Sequence, residues 1–360
     1  MLGTDGEATV DGTYKAFMVK RKHTISLKDI AKKAGVSPSL VSFVLNGKQQ
    51  LHRINPEVAE RVKRIAKELD YKPNSHAKSL RDGVSRTIGV VVPDISNQFF
   101  SKIVQNIESF IEDSNYMALF ASSEEKADKL SDLVDRLLAK GVDGLILVPC
   151  EGSEDCIQSL VGKDIPMVLI DRYLPEIRTN YVCLNNESAS YNATKHLITQ
   201  GFSRIGFIGY DINLSHMKSR INGYKQAMSD YNLSKEIMVK YVSGTSQQKG
   251  CERALRSLIE GGADAVVFAT NTIAVNSLYH IQKEGIRIPE DLGVVGFDSD
   301  VAFDFFYSPL TCIRQPLEQM AQKAVSILLD QLSSQTSILQ QVEVEGELVV
   351  RRSSRRENDN

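Results

Sequence analysis

The chain has 360 residues, too many for one small domain and enough for two or three, and its 42% hydrophobic content supplies the apolar mass for buried cores. The net charge of −2 conceals a split: Lys20 to Arg86 carries 16 Lys/Arg against 6 Asp/Glu, a net of +10, while the remainder carries 27 against 39, a net of −12. No apolar run approaches the roughly 20 residues of a membrane span, residues 1–19 lack the apolar core of a secretion signal, and the five scattered cysteines form no CxxC pair, which argues against a disulfide framework or a zinc site.

Residues 1–23 read as a disordered Gly/Thr/Asp-rich leader. The stretch ISLKDIAKKAGVSPSLVSFVLNGK then packs two short helices around a tight turn. Ser26 and Asp29 have capping-box spacing, and Leu27, Ile30 and Ala31 share a face. Gly35 stops the first helix. Ser37 caps a second that opens on Pro38, with Val41, Val44 and Leu45 inward. This pattern is a helix-turn-helix, whose second helix is shaped for a DNA major groove. A third helix follows, with Asn55 as N-cap, Pro56 at its first position and Val58, Val62, Ile65, Ala66 and Leu69 as its apolar stripe. The expected headpiece spans 24–71, and its basic excess points to a polyanion partner. Residues 72–86 are basic and too short to own a core. They read as a linker, or as a short helix that orders on binding.

The body opens on TIGVVVPDI, 87–95, an apolar run typical of a strand buried on both faces. Helices are expected at 99–115, 125–140 and 155–161, alternating with strands at 118–121, 144–149 and 167–170. The pattern restarts at RIGFIGYDI, 204–212, with helices at 218–231 and 273–284 and strands at 265–269 and 293–297. This loose duplication predicts an α/β fold with two doubly wound parallel sheets, in which ligands sit outside the strand C-terminal ends.

The segments SLKDIAKKAGVSPSLVSFVLNGK, ELDYKPNSHAKSLR, TIGVVVPDISNQFF, KGVDGLIL, PMVLIDR, RIGFIG, SRINGYKQAM, IRIPEDLGVVGFDSD and SPLTCIRQP occur in order. On them the chain resembles the LacI family of bacterial transcription regulators from residue 26 to about 353. The resemblance implies a helix-turn-helix headpiece (24–71), a hinge helix (72–86), a two-lobed body similar to periplasmic sugar-binding proteins (87–353) and a tail (354–360). Interlobe crossings are expected near Asn185, Cys312 and Gln341, giving one lobe of about 87–184 plus 313–340 and another of 185–312 plus 341–353.

By the same resemblance Pro38, Ser39 and Phe43 face base edges, and Ser37, Ser42, Asn46 and Lys48 contact phosphates. Pro38 and Phe43 donate no hydrogen bond, so direct readout is thin; packing on the headpiece surface is the alternative for Phe43. The hinge pattern PNxxAxxLR places Asn74, Ala77 and Lys78 beside Leu80, which would wedge between base pairs of the minor groove. Packing against the body is the alternative for Leu80. Two hinges imply a homodimer on a pseudo-palindromic duplex. A C-terminal leucine heptad, found in some family tetramers, is not seen in RRSSRRENDN.

For the effector, the family's sugar-binding branch suggests Asn97, Phe99, Phe100, Asp171 and Arg172 on one wall and Arg220, Asn271, Asp298 and Gln315 on the other. Amides, carboxylates and guanidinium suit vicinal hydroxyls, and aromatic faces suit the C–H side of a sugar. Asp171 and Arg172 could equally brace each other. Thr272 stands where the family usually has Asp. Leu214 and His216 stand where purine-binding relatives place Arg and Thr, which weakens a purine effector; His216 could also be a surface residue. The expected protein is therefore a cytoplasmic, dimeric, ligand-gated DNA-binding regulator acting as a repressor, with no metal or cofactor and no catalytic residues. GxGxxG, P-loop, HExxH and GxSxG motifs are absent from the sequence. The competitors are a solute-binding protein and a sugar-active enzyme on the same body fold.

Overall fold

In the computed structural model, residues 25–72, 83–243, 247–333 and 338–356 are described. The chain divides into two compact units, Met1–Arg81 and Asp82–Asn360. The expected leader and the hinge residues Asn74, Ala77, Lys78 and Leu80 lie outside the described residues.

The first unit is built by its caps. Helix α1 (Leu27–Ala34) starts where the Ser26 amide donates to Asp29 Oδ2 at 2.8 Å and ends on Gly35 at φ 66°. Helix α2 (Pro38–Leu45) starts where Ser37 Oγ accepts from the Leu40 amide at 3.2 Å. Helix α3 (Pro56–Glu68) starts where Asn55 Oδ1 accepts from the Glu57 amide at 2.8 Å. Ile30, Ala31, Ala34, Val41, Val44, Ala59, Val62, Ile65 and Ala66 close one small core among the three.

In the second unit, β1 (Thr87–Val92), α4 (Gln98–Glu112), β2 (Met117–Ser122), α5 (Ala127–Ala139), β3 (Gly144–Leu147), α6 (Glu154–Gly162), β4 (Met167–Ile170) and β5 (Tyr181–Leu184) form the first lobe. The chain then crosses into α7 (Asn186–Thr199), β6 (Ile205–Tyr210), α8 (Ser215–Asp230), β7 (Met238–Val242), α9 (Gln247–Glu260), β8 (Ala265–Phe268), α10 (Asn271–Glu284), β9 (Gly293–Phe297), α11 (Val301–Phe305) and β10 (Thr311–Arg314). Helix α12 (Leu317–Ser333) returns to pack on the first lobe, and β11 (Gln341–Val344) and β12 (Glu347–Val349) divide between the two sheets.

The sheet orders are β11-β5-β4-β3-β1-β2 and β12-β10-β9-β8-β6-β7. Every pairing is parallel except β10 with β12. The two doubly wound lobes are thus present. Their strands, such as β3, β4, β8 and β9, are buried on both faces, as the continuous apolar runs require.

Two boundaries differ from expectation. The third crossing is not at Gln341, because Gln341–Val344 pairs with β5 in the first lobe and the chain passes over only after Val344. The second lies near Cys312, where β10 runs two residues further to Arg314, opposite Glu347 of β12. The expected tail also begins too early. Ser354 is fully buried against Thr311, and the Arg356 guanidinium lies 4.4 Å from the centre of the Phe202 ring.

Helices α7 and α8 approach closely because Gly223 has no side chain: a Cβ there would stand 2.1 Å from the Glu187 carbonyl oxygen. Among the described residues no helix is long and apolar enough to cross a membrane. All five cysteines are free, and burial raises the thiol pKa of each.

Candidate functional site

The stretch from the end of α1 through α2 and the following loop has no carboxylate between Ile30 and Pro56, while Lys32, Lys48 and Arg53 supply positive charge. Acidic groups of this unit are drawn off by ion pairs on α3, as in Lys33–Glu68 at 3.0 Å and Lys63–Glu60 at 2.9 Å. Pro38, Ser39 and Lys48 are exposed. Ser37 is committed to its cap, and Asn46 Nδ2 donates to the Ser42 carbonyl at 2.7 Å. Phe43 is half-buried and stacked face to face on His52, with ring centroids 3.6 Å apart and planes 18° apart. One of its faces is turned to the imidazole.

The second unit has a cleft of about 550 Å³ between its lobes. It lies outside the strand C-terminal ends, where doubly wound sheets place ligands. All nine residues expected there line it: Asn97, Phe99, Phe100, Asp171, Arg172, Arg220, Asn271, Asp298 and Gln315. Asp171 directly follows β4 and Asp298 directly follows β9, at φ 70° and 66°. The two lobes therefore present matching carboxylates from matching left-handed residues, a conformation that Asp tolerates better than most side chains.

Each polar group has a definite partner. Gln315 Nε2 donates to Asp298 Oδ1 at 2.6 Å, and Gln315 Oε1 is buried with no partner among the described residues. Arg220 is 2% exposed; its Nε donates to Asn186 Oδ1 at 2.7 Å, its Nη1 to the Ala269 carbonyl at 2.5 Å, and its guanidinium lies 4.3 Å from the Phe297 ring centre. Arg172 Nη1 and Nη2 each donate to Glu125 at 2.8 Å, and Nε lies 3.3 Å from Asp171. Asn97 caps α4 by accepting from the Phe99 amide at 3.0 Å and also accepts from Asn271 of the other lobe at 3.3 Å. Further bridges join the lobes: the Val301 amide to Gln98 at 3.3 Å, the Asn213 amide to Glu151 at 3.0 Å, and Ser215 to the Tyr173 carbonyl at 2.7 Å.

Burial governs the ionisation of this cluster. It pushes Asp171 up to about 6, with Asp298 and Glu125 adding repulsion and Arg172 and Arg220 opposing. Asp298 is raised for the same first reason, against Arg220 and the Gln315 hydrogen bond. His216 is pushed well below its usual value by burial and then by Arg172 and Arg220, so its imidazole is neutral at pH 7. At 6% exposure His216 is a buried lining residue rather than a surface one. Glu125, Glu151, Tyr210, Thr270 and Thr272 also line the cleft; of these, only Thr272 stands out in the sequence, as a departure from the family pattern. No group of His, Cys, Asp and Glu among the described residues is arranged to hold a metal ion.

Comparison with known proteins adds a family. Residues 26–74 match the pattern of bacterial regulatory proteins, lacI family, and residues 194–354 match a periplasmic binding protein-like domain. The HTH-type transcriptional repressor PurR of Aliivibrio fischeri (strain MJ11) is 32% identical over 334 residues, covering 91% of this chain and 98% of the relative. The chain belongs to the lacI family of bacterial regulatory proteins. This lacI-family chain is also 30% identical over 329 residues to the ribose operon repressor of Haemophilus influenzae (strain KW20 / Rd), at 91% and 98% coverage. Among solved structures it is similar to a complex of the transcriptional regulator CelR with cellobiose, with a TM-score of 0.66, 26% identity, and 91% and 99% of the two chains covered. Helices α1 to α3 fall within the 26–74 match to the lacI-family pattern.

Proposed function

We propose that this lacI-family chain is a dimeric, operator-specific transcriptional repressor whose DNA affinity is set by an uncharged sugar or sugar derivative bound between the lobes. The observation that carries the reading is the composition of the cleft. Paired hydrogen-bonding groups (Asp171, Arg220, Asn271, Asp298, Gln315) converge on one space beside the aromatic faces of Phe99 and Phe100. The two rings meet edge to face at 5.0 Å and line the cleft, an aromatic wall of the kind that suits the C–H side of a pyranose or furanose. The cellobiose complex of a 26%-identical relative supports the same ligand class.

The mechanism is linkage between two sites. The bridges Asn97–Asn271, Gln98–Val301, Glu151–Asn213 and Tyr173–Ser215 make the lobe separation a variable that a ligand in the cleft biases. Residues 73–82 connect that variable to the headpiece, with Leu80 as the minor-groove wedge. Ligand and DNA then alter each other's affinity by one common factor.

Thermal-shift screening of the full-length protein against sugars, sugar phosphates and purines tests the ligand class. A ligand at 100 times its Kd stabilises by about 2.7 kcal/mol. Stabilisation by a neutral sugar is expected; stabilisation by purine bases and by no sugar contradicts the reading. Leu80→Ala should weaken binding to an in-vitro-selected duplex without lowering body stability, and unchanged affinity removes the wedge.

A further inference from the structure

Arg172 is a buried guanidinium at the floor of the cleft, and both of its terminal nitrogens are engaged by one carboxylate. Nη1 donates to Glu125 Oε2 and Nη2 to Glu125 Oε1, each at 2.8 Å. This parallel fork is also the geometry in which arginine grips a phosphate or a ligand carboxylate. The Arg172 side chain is 8% exposed and that of Glu125 48%, so Glu125 caps the guanidinium from the open side.

The segment that delivers Glu125 is strained. Glu124 and Glu125 are consecutive non-glycine residues at φ 56° and 55°, in the left-handed region that L side chains rarely adopt. Such a conformation persists only where its surroundings over-determine it. Here the Glu124 amide donates to the Pro93 carbonyl at 2.7 Å, and the Glu124 carboxylate holds Lys126 at 3.1 Å and Lys129 at 2.7 Å. These two lysines are thereby paired as well.

The remaining positive charge of the cleft is Arg220. Its Nε and Nη1 serve Asn186 and the Ala269 carbonyl, leaving Nη2 without a partner among the described residues. Against these two arginines the lining carries Asp94, Glu124, Glu125, Glu151, Asp171 and Asp298.

From this arrangement we infer that Glu125 is an internal anion occupying the fork of Arg172, and that the cleft consequently selects uncharged ligands against phosphate esters and carboxylates. An entering anion must either displace Glu125 or lie beside an excess of lining carboxylates in a partly desolvated space, where like charges repel strongly. The inference deepens the proposed sugar reading, but its decisive test does not depend on that reading.

The test uses the full-length protein with inorganic phosphate as probe, followed by thermal shift and calorimetry against chloride of equal ionic strength. Wild type should show no phosphate-specific stabilisation. Glu125→Gln, which keeps the side chain's shape, should gain phosphate affinity at least tenfold, and the double variant Glu125→Gln, Arg172→Gln should lose it again. A Glu125→Gln protein with no gain, or wild type binding phosphate equally well, overturns the inference. A second measurement needs no variant: glucose against glucose 6-phosphate, and ribose against ribose 5-phosphate, on wild type. The neutral member of any pair that binds should be the tighter by tenfold or more, and a tighter phosphate ester overturns the inference. If neither member of either pair binds, the phosphate result still decides the role of Glu125.

Discussion

Replacing Asp171 by Asn should stabilise the unliganded protein at pH 7. The carboxyl is 5% exposed and its pKa is raised from 3.8 to about 6, first by burial and then by Asp298 and Glu125, with Arg172 and Arg220 pulling only part of the way back. A rise of about two units corresponds to roughly 3 kcal/mol. The folded protein holds this proton up to about pH 6, whereas the unfolded chain releases it near 3.8. The resulting stability is fully present below the unfolded value and is lost as pH rises through the folded one. At pH 7 the ionised Asp171 therefore costs about 3 kcal/mol, and Asn removes that cost. Asn also tolerates the φ of 70° at this position, so the exchange adds no backbone strain. Arg172 keeps its two bonds to Glu125 and is not orphaned. Thermal denaturation of wild type and variant at pH 7 and pH 4 reads the effect: a gain of roughly 5–10 °C in Tm is expected at pH 7, shrinking toward zero at pH 4. The same variant should lose ligand-dependent stabilisation, a trade of stability against function common at binding sites. A lower Tm at pH 7, or an equal difference at both pH values, refutes the electrostatic reasoning.

Gly223→Ala places a methyl 2.1 Å from the Glu187 carbonyl oxygen and 2.9 Å from the Tyr191 amide, both backbone atoms. The expected loss is about 3 kcal/mol or more, and denaturant unfolding at near-wild-type stability would contradict the close approach of α7 and α8. Arg220→Ala strips donors from Asn186 and the Ala269 carbonyl, at roughly 1–3 kcal/mol for each buried acceptor left alone. It should also abolish the ligand response; an unaltered response in a DNA-binding titration removes Arg220 from the site. Phe43→Leu ends the stack on His52, lowering headpiece stability by about 0.5–1.5 kcal/mol beyond the lost area. In-vitro selection with this variant should recover the wild-type site, and a changed preference at one base pair would return Phe43 to the groove.

The headpiece was legible because its instructions are local. Ser26 with Asp29, Gly35, Ser37 with Pro38, and Asn55 with Pro56 each act within four residues of themselves, and each forms the expected cap. The strands of the body were legible as apolar runs, and Asp171 and Asp298 as the polar residues that end them. Helix α7 carries no such stripe. It buries Asn186, Ser190 and Thr194 beside Ala189 and Ala193, and Thr194 satisfies its hydroxyl on the Ser190 carbonyl at 2.9 Å, so a buried helix reads as polar. Glu125 was hidden for a different reason. In SSEEKADK it looks like one more solvated carboxylate, and its partner Arg172 is 47 residues away. The lobe boundaries near Gln341 and Ser354 depended on strand pairing and on Ser354 reaching Thr311, which are long-range choices that no short window contains.

The central claim is that a sugar in the interlobe cleft and a duplex on α2 are energetically coupled. Fluorescence anisotropy of the full-length protein on a duplex selected in vitro, titrated with and without a saturating neutral sugar taken from the thermal-shift screen, measures the coupling factor, and calorimetry of that sugar with and without DNA measures the same factor from the other side. The account predicts one equal factor of about 5–150 in both directions; a sugar that fills the cleft while the DNA affinity stays the same would contradict it.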